Sequence, residues 1–104
     1  MAKNPTLLGR IAIVTGGSGL LGSEFCKALK LEGAVVYNLD LNTPKNENDE
    51  SAIFIQVDIT NKKKVNEVIK TIASDNENTI NILVNNAAID HKVSDELIEN
   101  FKFR

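Results

Sequence analysis

Cysteine, tryptophan and long apolar runs are nearly or wholly missing from this sequence. Its 104 residues include one cysteine, two prolines and no tryptophan. A single cysteine excludes an internal disulfide and argues against a zinc cluster built on thiolates. Pro5 and Arg10 interrupt any apolar stretch near the start, and no run approaches the ~20 residues that cross a membrane. We therefore expect a cytoplasmic protein that has no membrane partner.

An excess of positive charge is also missing. Twelve basic residues face 14 acidic ones, which gives a net charge of −2 and argues against a nucleic-acid partner. The length and the 42% apolar content are those of one globular domain. The single histidine, His91, has no companion metal ligands nearby apart from the adjacent Asp90. We interpret it as a loop residue and expect no metal site.

Short apolar segments recur along the chain at the spacing of strands. Residues 11–14 are apolar at every position, which is typical of a strand buried on both faces of a parallel sheet. Residues 34–40, 52–58 and 79–86 are predicted to form three more strands.

Helical patterns separate these strands. The first follows a glycine-rich stretch, and its predicted apolar stripe comprises Leu21, Phe25, Ala28 and Leu29, with Gly33 as the C-terminal cap. A second helix is predicted to be capped by Thr60 or Asn61, with a stripe at Val65, Val68, Ile69, Ile72 and Ala73. A weaker helical pattern covers 94–101. Alternating strands and helices predict an α/β fold, specifically a Rossmann-like, doubly wound parallel sheet. About four strands in the order 3-2-1-4 would form its N-terminal half, so residues 1–104 are one incomplete domain.

The stretch TGGSGLLG, residues 15–22, contains four glycines between the first strand and the first helix. Gly17-x-Gly19-x-x-Gly22 fits a dinucleotide-binding fingerprint, in which early glycines let the backbone approach a pyrophosphate and the last lets the helix pack on the strand. The N–H groups that begin the helix would face the phosphates. The predicted cofactor contacts here are Gly16, Gly17, Ser18, Gly19, Leu20, Leu21 and Gly22.

The alternative hypothesis is a glycine-rich turn that binds nothing. An aspartate further along the chain favours the dinucleotide-binding hypothesis. Asp40 ends the second predicted strand 18 residues after Gly22, the spacing of a carboxylate that accepts the ribose hydroxyls. Such a carboxylate would repel a 2′-phosphate, and neither Ser18 nor the next residue, Leu41, is basic. We therefore expect NAD to be favoured over NADP, with Asp40 and Leu41 at the ribose.

Three segments in chain order, TGGSGLLG (15–22), VDIT (57–60) and NNAA (85–88), together resemble the short-chain dehydrogenase/reductase family. The resemblance implies that Asp58 contacts the adenine amino group and that Ile59 flanks the ring. It also implies that Asn85 holds strands together near the cofactor, with Asn86 and Ala87 along the nicotinamide side.

The glycine spacing mixes two branches of that family. Leu20 stands where the compact branch has its second glycine, whereas Gly16, Gly19 and Gly22 follow the Gly-x-x-Gly-x-x-Gly pattern of the extended branch. The NNAA segment is close to the compact version. The combination resembles oxidoreductases of bacterial surface-sugar pathways, such as flagellin-modification proteins.

The family's catalytic Tyr-x-x-x-Lys pair has no counterpart in this sequence. The only tyrosine, Tyr37, lies in a predicted strand and is followed four residues later by Leu41, so we interpret it as a packing residue and expect no catalytic residue. Two hypotheses remain open. The chain is part of an NAD-dependent oxidoreductase whose full-length form acts on a small alcohol or carbonyl substrate, with a sugar derivative as the narrower expectation. Alternatively, it is a non-catalytic dinucleotide-binding module or a truncated pseudo-enzyme. An apolar fourth strand at the sheet edge would favour the first and promote a homo-oligomer.

Overall fold

A four-stranded parallel sheet organises the part of the chain that the computed structural model describes, residues 5–45 and 50–87. The elements are β1 (Ile11–Thr15), α1 (Leu20–Leu31), β2 (Val35–Asp40), β3 (Ile53–Gln56), α2 (Lys62–Asp75) and β4 (Ile82–Asn85). The strand order is β3-β2-β1-β4, and every pairing is parallel. The predicted doubly wound class and the order 3-2-1-4 are confirmed. The helical pattern at 94–101 lies outside the described residues.

Strand β1 occupies the centre of the sheet and is buried along its whole length. Ile11 and Ile13 join an apolar cluster on one face, whereas Ala12 and Val14 join a second cluster on the other. Because both faces are covered, this strand needs apolar residues at every position. That requirement explains why this strand could be predicted from the sequence.

Helix α2 covers the face of the sheet that carries Ile11 and Ile13. Val65 and Ile72 are buried there, and Val68 and Ile69 pack against the same cluster. Asn61 begins the helix, since its side-chain oxygen accepts a hydrogen bond from the Lys64 N–H at 3.1 Å. The predicted stripe is therefore confirmed at these four positions, and of the two predicted caps the structure uses Asn61.

Helix α1 covers the opposite face, but its inward side differs from the prediction. Phe25 and Leu29 do pack against the core. Leu21 is 61% exposed and Ala28 is also exposed, whereas Gly22 and Cys26 are buried. The close contact of Gly22 with the end of β1, described below, fixes the rotation of the helix and turns Cys26 inward one turn later. Cys26 is 1% exposed and belongs to the apolar cluster on this face.

The end of α1 anchors the segment that precedes β1. Gly33 has a φ of +96°, the left-handed conformation expected of a residue that terminates a helix. One carboxylate oxygen of Glu32 accepts hydrogen bonds from the Thr6 N–H at 3.1 Å and the Thr6 hydroxyl at 2.7 Å. These two bonds hold the pKa of Glu32 below its ordinary value.

This contact predicts a pH dependence of stability. Because the pKa of Glu32 is lower in the folded chain than in the unfolded chain, the contribution is present above the unfolded-state pKa and is lost as pH falls through the folded-state pKa. We expect Glu32→Gln to lower the unfolding temperature at neutral pH and to match the parent once the pH is below the folded-state pKa of Glu32, where its carboxyl is protonated. Thermal unfolding followed by circular dichroism across this pH range measures the effect. Glu24→Gln, the same charge change on α1, is the control, and a Glu32→Gln deficit that persists at low pH would contradict the argument.

Candidate functional site

The carboxyl ends of the parallel strands and the start of α1 meet at one edge of the sheet, where a doubly wound fold binds its ligand. The structure places four groups of predicted residues at this edge. The turn between β1 and α1 carries residues 16–19, and α1 begins with Leu20, Leu21 and Gly22. Asp40 ends β2, and Leu41 follows it. Asp58 and Ile59 come after β3. Asn85 ends β4, and Asn86 and Ala87 follow it.

We call the glycine-rich segment 16–22 the glycine turn. Two of its positions must be glycine because of contacts within the protein. Gly16 has a φ of +69°, and a Cβ at this position would lie 2.8 Å from the Ala87 Cα. A Cβ on Gly22 would overlap the Gly16 carbonyl oxygen and come within 2.7 Å of the Asn86 Nδ2. The first turn of α1 is thereby packed directly against the end of β1.

The two middle glycines differ from each other. A Cβ on Gly17 would lie 2.5 Å from the Asn38 Oδ1, so the missing side chain leaves room for strand β2. The approach of Gly17 to a pyrophosphate stays a prediction from the sequence. Gly19 is exposed, and a Cβ there would meet only the Gly16 oxygen at an ordinary 3.5 Å. Gly19 is therefore the glycine whose open side faces away from the protein.

The first turn of α1 begins with backbone N–H groups that have no partner within the helix. Gly19 caps the helix without a side-chain hydrogen bond, and the first turn contains no acidic residue. The first N–H groups of a helix and the positive end of its dipole favour an anion. This interaction stabilises an exposed charge by roughly 0.3–1 kcal/mol. A cavity of about 200 Å³ adjoins this terminus. Its lining includes Ser18, Ser23 and two lysines, Lys27 and Lys45. The arrangement suits a phosphate group.

Asp40 reaches from the end of β2 toward the glycine turn. Its Oδ2 accepts a hydrogen bond from the Ser18 N–H at 3.0 Å, and its Oδ1 accepts one from the Asn42 N–H at the same distance. The carboxylate is half-buried, and Leu41 beside it is 56% exposed. This places a carboxylate beside the backbone of the turn between β1 and α1.

Asp58 and Ile59 occupy the connection between β3 and α2. The Oδ1 of Asp58 accepts hydrogen bonds from the Thr60 N–H at 2.9 Å and the Thr60 hydroxyl at 2.7 Å. The two bonds hold the pKa of this exposed carboxyl below its ordinary value, so it is ionised at neutral pH. Ile59 is half-buried and packs against the cluster beneath α2.

Thr15 was not among the predicted site residues, yet its hydroxyl joins the ends of β1 and β4. The oxygen accepts hydrogen bonds from the N–H groups of Asn86 at 3.0 Å and Ala87 at 3.2 Å, and the hydroxyl donates to the Asn85 Oδ1 at 3.1 Å. The Asn86 amide also donates to the Gly16 carbonyl at 3.2 Å. The available signal was a buried hydroxyl at the end of an otherwise apolar strand.

The remaining candidates from the sequence are a tyrosine, a metal site and a membrane-spanning segment. Tyr37 is buried in β2, and its hydroxyl accepts a hydrogen bond from the Asn76 Nδ2 at 2.9 Å, as a packing residue would. Within residues 5–45 and 50–87, His, Cys, Asp and Glu side chains form no group of three that could hold a metal ion. Neither described helix has the length and apolar character that a membrane crossing requires. His91 lies outside the described residues.

Comparison with known proteins identifies relatives for this arrangement. The family model for short chain dehydrogenases matches residues 10–103. A 15-hydroxyprostaglandin dehydrogenase [NAD(+)] of Rattus norvegicus is 30% identical over an alignment of 94 residues, and the match covers 81% of this chain and 35% of that enzyme. The chain thus spans about a third of the length of the curated relatives it matches.

Solved structures of dehydrogenases also superpose on this chain. The ligand-free aldohexose dehydrogenase of Thermoplasma acidophilum superposes with a TM-score of 0.73 at 30% identity, over 85% of this chain and 33% of that one. A short chain dehydrogenase of Leptospira borgpetersenii, solved with bound NAD+, gives a TM-score of 0.70 at 27% identity, over 88% and 40% of the two chains.

Proposed function

The chain belongs to the short chain dehydrogenase family, and on that basis we propose that it binds NAD as the cofactor-binding half of an oxidoreductase. In its full-length form the enzyme would transfer hydride between the nicotinamide and an alcohol or carbonyl substrate. The observation that carries the proposal is the Asp40 carboxylate held beside the glycine turn by the Ser18 N–H. The carboxylate lies at the carboxyl edge of the parallel sheet beside the start of α1, which is where a doubly wound fold binds its ligand.

The described residues fit a dinucleotide at each point along the sheet edge. The uncapped start of α1 and the open side of Gly19 would accept the pyrophosphate. Asp40 would accept hydrogen bonds from the ribose hydroxyls, and Asp58 would accept one from the adenine amino group. When bound, NAD supplies the hydride acceptor, while this chain's residues bind and orient it.

The preference for NAD over NADP rests on the same carboxylate. A 2′-phosphate near Asp40 would meet like charge, at a cost on the order of 4 kcal/mol per charge pair at 4 Å and an effective dielectric of 20. Lys27 and Lys45 line the adjoining cavity beside the N-terminus of α1. The NAD(+) in the name of the rat relative and the NAD+ bound to the Leptospira protein also support NAD. Since one structural relative is an aldohexose dehydrogenase, we extend the proposal to a sugar-derived alcohol as the substrate class.

Replacing Asp40 tests the proposal directly. We expect Asp40→Ser to weaken NAD by about tenfold or more, because hydrogen bonds to a charged group contribute roughly 1.5–3 kcal/mol. NADP should weaken much less or improve, since the repulsion is removed. Titration calorimetry with both cofactors on both proteins gives the four affinities.

Asp58→Ser is the matched control for this experiment. Its carboxylate is proposed to contact the adenine, which the two cofactors share, so it should weaken both equally and leave the NAD-to-NADP ratio unchanged. An unchanged ratio in Asp40→Ser would show that Asp40 does not face the ribose.

A further inference from the structure

Asn38 is a polar residue buried in the middle of strand β2. It is 2% exposed, and the residues on either side of it, Tyr37 and Leu39, are buried in the apolar core. Its Nδ2 donates a hydrogen bond to the Ser18 hydroxyl at 3.0 Å, whereas its Oδ1 accepts none within the described part of the chain. A buried acceptor without a donor lowers the stability of the folded state. A side chain without polar atoms would avoid that cost, so core packing alone does not account for an asparagine here.

The Asn38 amide is one end of a two-bond connection to the candidate site. Asn38 holds the side chain of Ser18, and the backbone N–H of Ser18 donates to the Asp40 Oδ2 at 3.0 Å. Asn38 and Asp40 are two residues apart on β2 and therefore point to the same face of the sheet. Ser18 is thus bound at its side chain by Asn38 and at its backbone by Asp40, from the same face of β2.

Shape reinforces the hydrogen bonds. The Asn38 amide lies so close to Gly17 that a Cβ on the glycine would be 2.5 Å from its Oδ1 and 2.6 Å from its Cγ. The first half of the glycine turn therefore rests directly on this side chain. A change at Asn38 alters both the surface that supports the turn and the bond that holds Ser18.

We propose that Asn38 is a positioning residue for the dinucleotide site, which holds Ser18 so that its N–H orients the Asp40 carboxylate toward the ribose. The inference rests on the proposed function, because the carboxylate needs orientation only if it meets a ligand. Asn38 itself is 2% exposed and lines the cavity beside the start of α1, and in this proposal it acts through Ser18.

The test removes the Asn38–Ser18 bond from each side. We expect both Asn38→Ala and Ser18→Ala to speed hydrogen exchange at the Ser18 N–H by about tenfold and to raise the NAD Kd about fivefold, typical of losing one hydrogen bond. Because both variants break the same bond, the double variant should be little worse than either single one. Exchange is measured by NMR on the 104-residue chain, and the Kd by calorimetry.

Tyr37→Phe is the matched control. It changes the neighbouring residue, on the opposite face of β2, and removes one partly buried hydrogen bond, which the Tyr37 hydroxyl accepts from Asn76. It should leave both the Ser18 exchange rate and the NAD Kd unchanged. If Asn38→Ala does not fold, Ser18→Ala carries the comparison, since it breaks the same bond from the turn and keeps the backbone N–H.

The outcomes separate this inference from the proposed function. Unchanged Ser18 exchange in both variants would overturn the inference, and so would faster exchange with an unchanged NAD Kd. In each case the parent chain would still bind NAD and the proposed function would stand. A parent chain that does not bind NAD at millimolar concentration would refute the proposed function and the positioning role with it.

Discussion

Replacing Gly22 by alanine should destabilise the chain more than any other single methyl addition in the glycine turn. The new Cβ would overlap the Gly16 carbonyl oxygen and crowd the Asn86 amide, and a backbone atom cannot rotate out of the way as a side chain can. Overpacking typically costs about 1–3 kcal/mol, and backbone overlap belongs at or above the top of that range. Helix α1 would have to move away from β1 and uncover the cluster around Cys26. Urea unfolding followed by circular dichroism measures the loss.

The comparison variant is Gly19→Ala, which adds the same methyl group three residues earlier. Its Cβ would meet nothing closer than 3.5 Å, and the φ of −80° suits any residue. It should unfold at the urea concentration of the parent. Equal stability of Gly22→Ala and Gly19→Ala would mean that α1 does not pack against β1 as closely as described.

Gly19→Val should abolish NAD binding while leaving the fold intact. The valine side chain would project into the space before the first turn of α1, where the pyrophosphate is proposed to approach the backbone. Losing the close approach removes several hydrogen bonds to a charged group, so we expect the affinity to fall by at least about a hundredfold. The unfolding midpoint should stay within the error of the parent, because Gly19 is exposed.

Titration calorimetry and thermal unfolding on the same samples separate the two effects. With Gly22→Ala, the variant forms a pair in which one substitution removes stability and the other removes binding. NAD affinity equal to that of the parent in Gly19→Val would place the phosphates elsewhere and refute the proposed path of the cofactor.

Strands were predictable because a parallel strand covered on both faces needs a run of apolar residues, as β1 shows. The rotation of α1 was not, because Gly22 is no more apolar than Gly19 by any scale that the sequence offers. What turns Gly22 inward is a contact with Gly16, and a periodicity argument contains no such term. Leu21 was therefore assigned to the core, although it is exposed.

The candidate site was predictable where chemistry and spacing coincide, and not where it depends on contacts distant in sequence. The glycines and Asp40 carry their signal in a fixed spacing. Thr15 and Asn38 act through partners 70 and 20 residues away, and a single polar residue inside an apolar strand does not reveal its partner. The same limit applies to Gly17, whose neighbour on β2 could not be known in advance.

The placement of β4 beside β1 has a consequence for the order in which the site forms. The contact between Thr15 and Asn85 closes a loop of 70 residues, whereas β1 and β2 are separated only by α1. Loop closure costs more entropy as the loop lengthens, and distant contacts form late. Synthesis from the N-terminus adds to this order, because β4 leaves the ribosome last of the four strands. We therefore expect the glycine turn and Asp40 to be in place before the end of β4, so that a nascent chain has the surface proposed for phosphate and ribose before the surface proposed for the nicotinamide.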